Sequence, residues 1–251
     1  MAGVAGRVAL VTGAGRGIGR RTAELLAERG ARVMGVARSE TELASLGLDY
    51  AVADLGSLEG CQAAFEQTEE RLGPIEIFVC NHGLGSAHEK VIWEQDPALW
   101  RETMRINLDG PFYLSRLIVG RMVEQRYGRC VFTSSTAGLV AEHAGSAYNS
   151  SKHGLLGLMR SVAIDGGAFG ITSNAVLPGW VRTEMAERSA RQEAKDRGIT
   201  VEQVWEQRAA LYPPGRVATI DEVAEAIAFL AAEESSGISG EAIRVALGSR
   251  E

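Results

Sequence analysis

Residues 7–19 read Arg-Val-Ala-Leu-Val-Thr-Gly-Ala-Gly-Arg-Gly-Ile-Gly and decide the fold. A short β-branched, apolar run (RVALVT, 7–12) ends abruptly in a cluster of four glycines. The pattern then changes to that of a helix over about Ile18 to Arg29. A strand running through glycines into a helix N-terminus is a phosphate-binding device. The glycines let the backbone turn tightly and approach an anion, and the first free N–H groups of the helix favour negative charge. The spacing is not GxGxxG, because Ile18 holds the third position. It is TGxxxGxG, on Gly13, Gly17 and Gly19. With 30 glycines in the chain the spacing alone is weak, and its place between the first strand and the first helix gives it meaning.

Outward from this turn, six further strand patterns alternate with helical ones: 31–36, 50–53, 75–80, 129–134, 171–177 and 241–246. Helix boundaries are punctuated in between. Ser39 with Glu42 and Thr219 with Glu222 both fit a capping box, Asp96-Pro97 fits an N-cap followed by proline, and Gly73-Pro74 fits a stop. Alternation of this kind predicts an α/β fold, a parallel sheet of about seven strands with helices on both faces, in one domain over 1–251. The stretch from Gly179 to Gly215 departs from it. Polar and rich in charge before Pro213-Pro214-Gly215, it reads as a substrate lid with its own helix or as a plain surface helix.

The end of the second strand selects the dinucleotide. An acidic residue there would bind a ribose 2′-hydroxyl, whereas arginine accommodates a 2′-phosphate. The sequence is Val36-Ala37-Arg38-Ser39, so Arg38 and Ser39 favour NADP(H) over NAD(H). Arg16, beside Gly15 in the glycine turn, offers a second positive charge. Glu40 is the opposing feature, one step into the next helix.

A second constellation is Tyr148-Asn149-Ser150-Ser151-Lys152, opening a helical segment that reaches about Phe169. Positions i and i+4 share a helix face, placing Lys152 beside Tyr148. A free phenol titrates near ~10, and an adjacent ammonium, together with a positively charged nicotinamide when the cofactor is oxidised, is expected to lower it toward useful proton exchange. With five tyrosines and three lysines in 251 residues, this spacing rarely arises by chance.

The two motifs, in this order, resemble the short-chain dehydrogenase/reductase family over nearly the whole chain, which implies a Rossmann-type doubly wound fold. The resemblance implies a catalytic set of Asn107, Ser135, Tyr148 and Lys152. Hydride would pass between nicotinamide and the carbonyl carbon, while Tyr148 moves the proton on oxygen. Ser135 would bind that oxygen, Lys152 the nicotinamide ribose, and Asn107 a relay water. Gly13, Gly15, Arg16, Gly17, Ile18 and Gly19 would hold pyrophosphate and Arg38 and Ser39 the adenosine ribose. Asp54 and Leu55 would touch adenine. Asn81, Gly83, Pro178, Gly179, Val181 and Thr183 would complete the cofactor site.

Three departures from the family pattern stand out. His82 replaces a small residue in Cys80-Asn81-His82-Gly83. Ala246-Leu247-Gly248 replaces an Asp-Gly-Gly near the C-terminus, which puts the expected homo-oligomer (tetramer or dimer) in doubt. Lys195-Asp196-Arg197-Gly198-Ile199 resembles the lid of 3-hydroxybutyrate dehydrogenases, but Gly85 and Ala137 stand where those enzymes place carboxylate-binding polar groups. The expected substrate is a medium-sized hydrophobic ketone or alcohol, walled by Trp93, Leu139, His143, Trp180, Met185 and Tyr212. A 3-oxoacyl-thioester reductase shares every catalytic residue. An enoyl reductase would need YxxxxxxK, which no tyrosine here satisfies. A non-catalytic NADP(H)-binding regulator is the reading from outside enzymology.

Composition excludes other classes. The net charge of -6 gives no footprint for nucleic acid. No basic leader or long apolar stretch suggests export or a membrane span. Cys61, Cys80 and Cys130 are odd in number and widely spaced, which fits a reducing cytoplasm better than disulfides or a thiolate metal site. His82, His88 and Glu89 share a loop, yet no metal-binding spacing is visible, and none is expected.

Overall fold

The computed structural model describes residues 3–249. Strands β1 (Val8–Thr12), β2 (Arg32–Ala37), β3 (Asp49–Val52), β4 (Ile77–Cys80), β5 (Gly128–Thr133), β6 (Ile171–Pro178) and β7 (Ala242–Val245) form one sheet in the order β3-β2-β1-β4-β5-β6-β7. Every pairing is parallel. All seven expected strands are present, each within two residues of its expected ends.

Side chains alternate across each strand, and here the alternation sorts them into two cores. Val8, Leu10, Phe78, Cys130 and Phe132 face one side. There they meet α3 (Leu58–Leu72), α5 (Gly110–Gln125) and α6 (Ser146–Gly166) through Cys61, Ala64, Leu114, Ile118, Leu156 and Met159. Ala9, Val11, Ile77, Val79 and Val131 face the other. They pack on α1 (Gly17–Glu28) and α9 (Ile220–Ala231) through Leu25, Leu26, Val223 and Ile227. Phe78 and Phe132 meet edge to face at 5.8 Å in the centre of the first core. Helices on both faces follow directly from strands that are apolar on both faces.

The short helices are set by their caps. Asp96 caps α4 (Pro97–Met104), with Pro97 in its first turn, and Thr219 with Glu222 closes a reciprocal box on α9. The second expected box is only half formed. Ser39 caps α2 (Glu40–Ala44) by accepting from the Glu42 N–H, but the Glu42 carboxylate turns away to Arg16 at 3.3 Å. A guanidinium across the crevice outcompetes one backbone N–H. The 179–215 stretch contains two helices, not one: α7 (Glu184–Arg197) and α8 (Val201–Ala210). Gly198, at φ +64°, ends the first, and a Thr200–Gln203 capping box starts the second. Their small core of Ala190, Ala194, Val204 and Trp205 is separate from the two main ones.

In a doubly wound sheet the ligand crevice opens at the carboxyl ends of the strands where chain order reverses. Here that point lies between β1 and β4. The loops following β1, β4, β5 and β6 all emerge at this edge.

Candidate active site

The glycine turn follows β1. Gly17 sits at φ +58°, a conformation side chains resist. A Cβ on Gly19 would overlap the Gly13 carbonyl oxygen and the Asn81 carboxamide, so α1 can approach β4 this closely only with glycine. The N-terminus of α1 has no capping side chain and no acid in its first turn. Its leading N–H groups therefore suit an anion, and the cradle fits a dinucleotide pyrophosphate. Thr12 accepts from the backbone N–H groups of Asn81 and His82, at 2.9 and 3.2 Å, tying this turn to the loop after β4.

Ser135 follows β5, its Oγ accepting from the Ala137 N–H at 3.2 Å and lying within hydrogen-bonding reach of the Tyr148 phenol. Tyr148 and Lys152 lie one turn apart on α6, with Nζ 5.7 Å from the ring centroid. The Lys152 ammonium is buried and donates to the Thr133 carbonyl at 2.9 Å. Asn107 lies in a π-helical turn (Arg105–Asp109) between α4 and α5. Its carboxamide clamps Leu84, accepting from the N–H at 2.7 Å and donating to the carbonyl at 3.0 Å, and also donates to Ser151 on α6. Gly83 fits between Asn107 and Lys152, where a Cβ would lie 3.2 and 3.7 Å from them. All four expected catalytic side chains converge at the carboxyl edge of β4 and β5.

Within the polypeptide the phenol of Tyr148 lies above the ordinary phenol value. Burial pushes it up to about 12, Ser135 pulls it down, and Glu142 and Glu89 push it further up. The Lys152 ammonium does not offset this: it is held by a carbonyl and is itself lowered to about 8 by burial. Desolvation outweighs the lysine.

After β2, at the end of the crevice expected to take adenosine, Arg38 is exposed and makes no ion pair among the described residues. Arg16 is engaged already, by Glu42 at 3.3 Å and by Glu184 of α7 at 2.9 Å. Asp54 accepts from the Gly56 N–H at 3.1 Å and from Arg105 at 2.9 Å, while Leu55 is buried. Ile18 and Ser39 are half-buried at the same end. After β6, Gly179 donates to the Val245 carbonyl, Val181 bridges Ala218, and Thr183 caps α7 opposite Gly17. Pro178 ends β6.

Two pocket details differ from expectation. Tyr212 is no open wall residue: buried, it accepts from the Trp180 N–H at 2.6 Å and packs on Gly179. His82 does not fill the groove, since its ring turns inward with Nδ1 2.8 Å from Thr12. Trp93, Leu139, His143 and Met185 are exposed. Among the described residues, no group of three or more His, Cys, Asp or Glu could hold a metal ion. Sequence reasoning missed the contacts of Glu42 with Arg16, of Glu89 with the Ala147 and Tyr148 N–H groups, and of Arg105 with Asp54, which span 26 to 59 residues of the chain. Only Thr12 carried a local signal, as the first letter of the glycine motif.

The family model described as enoyl-(acyl carrier protein) reductase matches residues 13–250. The chain is 33% identical over 249 residues to the 3-oxoacyl-(acyl-carrier-protein) reductase FabG of Escherichia coli, covering 96% of each. The chain belongs to the short-chain dehydrogenase/reductases. As a short-chain dehydrogenase/reductase it is an oxidoreductase acting on CH–OH groups, interconverting ketone and alcohol. It is also 31% identical over 245 residues to the D-beta-hydroxybutyrate dehydrogenase of Cupriavidus necator, covering 94% of each. Its backbone matches a variant of actinorhodin polyketide ketoreductase with NADPH at a TM-score of 0.90, 31% identity and 96% of each chain. No helix among the described residues of this short-chain dehydrogenase/reductase is long and apolar enough to cross a membrane.

Proposed function

We propose that the protein is an NADP(H)-dependent ketoreductase for medium-sized hydrophobic ketones, with Tyr148 transferring the proton. The observation that carries this reading is the convergence of Ser135, Tyr148 and Lys152 beside a glycine cradle ending in an uncapped helix. The dinucleotide would be held by residues 13–19 at the pyrophosphate, by Arg38, Ser39 and Asp54 at the adenosine end, and by Asn81, Gly83, Lys152 and residues 178–183 toward nicotinamide. When bound, it supplies or accepts the hydride.

The chain's own residues do the rest. In reduction the phenol of Tyr148, kept protonated by burial, gives its proton to the carbonyl oxygen. Ser135 holds that oxygen and stabilises charge developing on it. Lys152, anchored by Thr133, holds its ammonium beneath the phenol ring and near Gly83. Asn107 fixes the loop after β4 to α6, which keeps the crevice floor in place. Exposed apolar side chains in the segments that follow β4, β5 and β6, namely Trp93, Leu139, Val140 and Met185 at the start of α7, favour an apolar substrate.

A 3-oxoacyl-thioester reductase is the second reading, favoured by the relative named for that activity. The enoyl name of the family model is not adopted, because the tyrosine and lysine are four residues apart. A panel of free ketones and acyl thioesters, assayed with NADPH and NADH, separates these readings. Turnover of thioesters alone would defeat the hydrophobic-ketone assignment. Tyr148→Phe should retain NADPH affinity and lose turnover by about a hundredfold or more. Full activity in that variant would remove the tyrosine from the mechanism.

A further inference from the structure

The helix that carries Tyr148 lacks a cap of its own. Gly145 precedes α6 and offers no side chain, and Ser146 Oγ is buried without a partner. The leading N–H groups are instead met by a carboxylate from another part of the chain. Glu89, on the loop after β4, accepts from the Ala147 N–H through Oε2 at 2.8 Å and from the Tyr148 N–H through Oε1 at 2.7 Å. Both oxygens are used, on consecutive N–H groups, one of them belonging to the tyrosine itself. The bonds span 58 and 59 residues of sequence. A tight turn, with the Glu89 N–H donating to the Ser86 carbonyl at 3.0 Å, sets the carboxylate in place. A negative charge at a helix N-terminus is stabilised by the helix dipole.

We propose that Glu89 is a positioning residue for Tyr148, fixing the first turn of α6 and thereby the phenol, while joining the loop after β4 to the proton-transferring helix. The proposal rests on the reading of Tyr148 given above. A second effect follows from charge. Glu89 is one of two carboxylates that push the phenol toward its protonated form, the other being Glu142 from the loop before α6. His88 and Lys90 flank Glu89 in the chain, and Lys152 lies one turn beyond the tyrosine. Burial raises Glu89 itself while the two N–H bonds draw it down. Removing its charge therefore makes the phenol easier to ionise.

The test uses the full-length protein with NADPH and the best ketone from the panel. Glu89→Ala should lower kcat by about tenfold or more, because sub-ångström displacement of a reacting group is costly. The dissociation constant for NADPH should change by less than about twofold, since the glycine cradle is untouched. Glu89→Asp, which keeps the charge, should recover part of kcat. Glu89→Gln, nearly isosteric, should move the apparent pKa governing alcohol oxidation downward. Wild-type kcat and an unmoved pKa in Glu89→Ala and Glu89→Gln would overturn the proposal. So would a kcat loss that merely follows the melting temperature, with no recovery in Glu89→Asp. Tyr148→Phe is run alongside. Full turnover there removes the tyrosine's role and this proposal with it, whereas a normal loss there beside an unaffected Glu89→Ala removes this proposal alone.

Discussion

At position 82 an imidazole stands where the family pattern has a small side chain, and its environment dictates its charge. Nδ1 meets Thr12 at 2.8 Å, while Nε2 is buried without a partner, against Gly110. Burial, and then the Lys152 ammonium, push the ring down to about 3 from an ordinary value near 6.5. The folded protein thus holds a neutral ring that the unfolded chain protonates below about pH 6.5. The stability this contributes is full above that pH and is lost as pH falls toward 3. The loss is about 1.4 kcal/mol per pH unit for one such group. Unfolding titrations between pH 5 and 6.5 should show that much extra slope in the wild type over His82→Ala; parallel slopes would mean a hydrated ring. The unusual residue was legible in the sequence, but its direction was not, because the hydroxyl that turns it inward is 70 positions earlier. The same reason hid the balance of forces at Tyr148. Spacing placed an ammonium next to the phenol, but nothing local revealed that Thr133 would hold it and that burial would dominate.

Among the elements, strands were the easiest to read because each is a short apolar run bounded by turn residues. Caps were readable where both partners are neighbours, as at Thr219 and Glu222. They failed where a distant charge intervened, as at Glu42. The 179–215 stretch was foreseen as a departure from the strand–helix alternation but not as two helices, although Gly198 and Thr200-Val201-Glu202-Gln203 spell out the break. The end of β2 carries the coenzyme prediction. On the proposed NADP(H) reading Arg38 would hold the 2′-phosphate, because Arg16 is already matched by Glu42 and Glu184. Arg38→Asp should shift the kcat/KM ratio toward NADH by about ten- to a hundredfold, the worth of one charged hydrogen bond. An unchanged ratio would place phosphate recognition elsewhere.

On the scale of the molecule, two large cores grip the sheet and a small third core holds α7 and α8 together. Arg208 is central to the third. Buried, it stacks on Trp180 with its guanidinium carbon 3.6 Å from the ring centroid, lies 4.9 Å from that of Trp205, and pairs with Glu193 at 2.9 Å. Arg208→Ala should therefore free α7 and α8 without melting the sheet. Limited proteolysis within 180–215 should accelerate several-fold while the main unfolding transition stays nearly fixed. A transition that dropped together with the cleavage would show that lid and sheet unfold as one.

The Arg16 contacts bear on how ionic conditions act on coenzyme capture. That guanidinium ties the glycine turn to Glu42 and to Glu184 at the start of α7. An incoming phosphate that engages it exchanges one ionic partner for another, so the number of paired charges hardly grows. Added electrolyte loosens the resident pairs as well as the incoming one. Affinity for the phosphorylated coenzyme consequently declines less steeply with ionic strength than a crevice bearing two unencumbered arginines would impose.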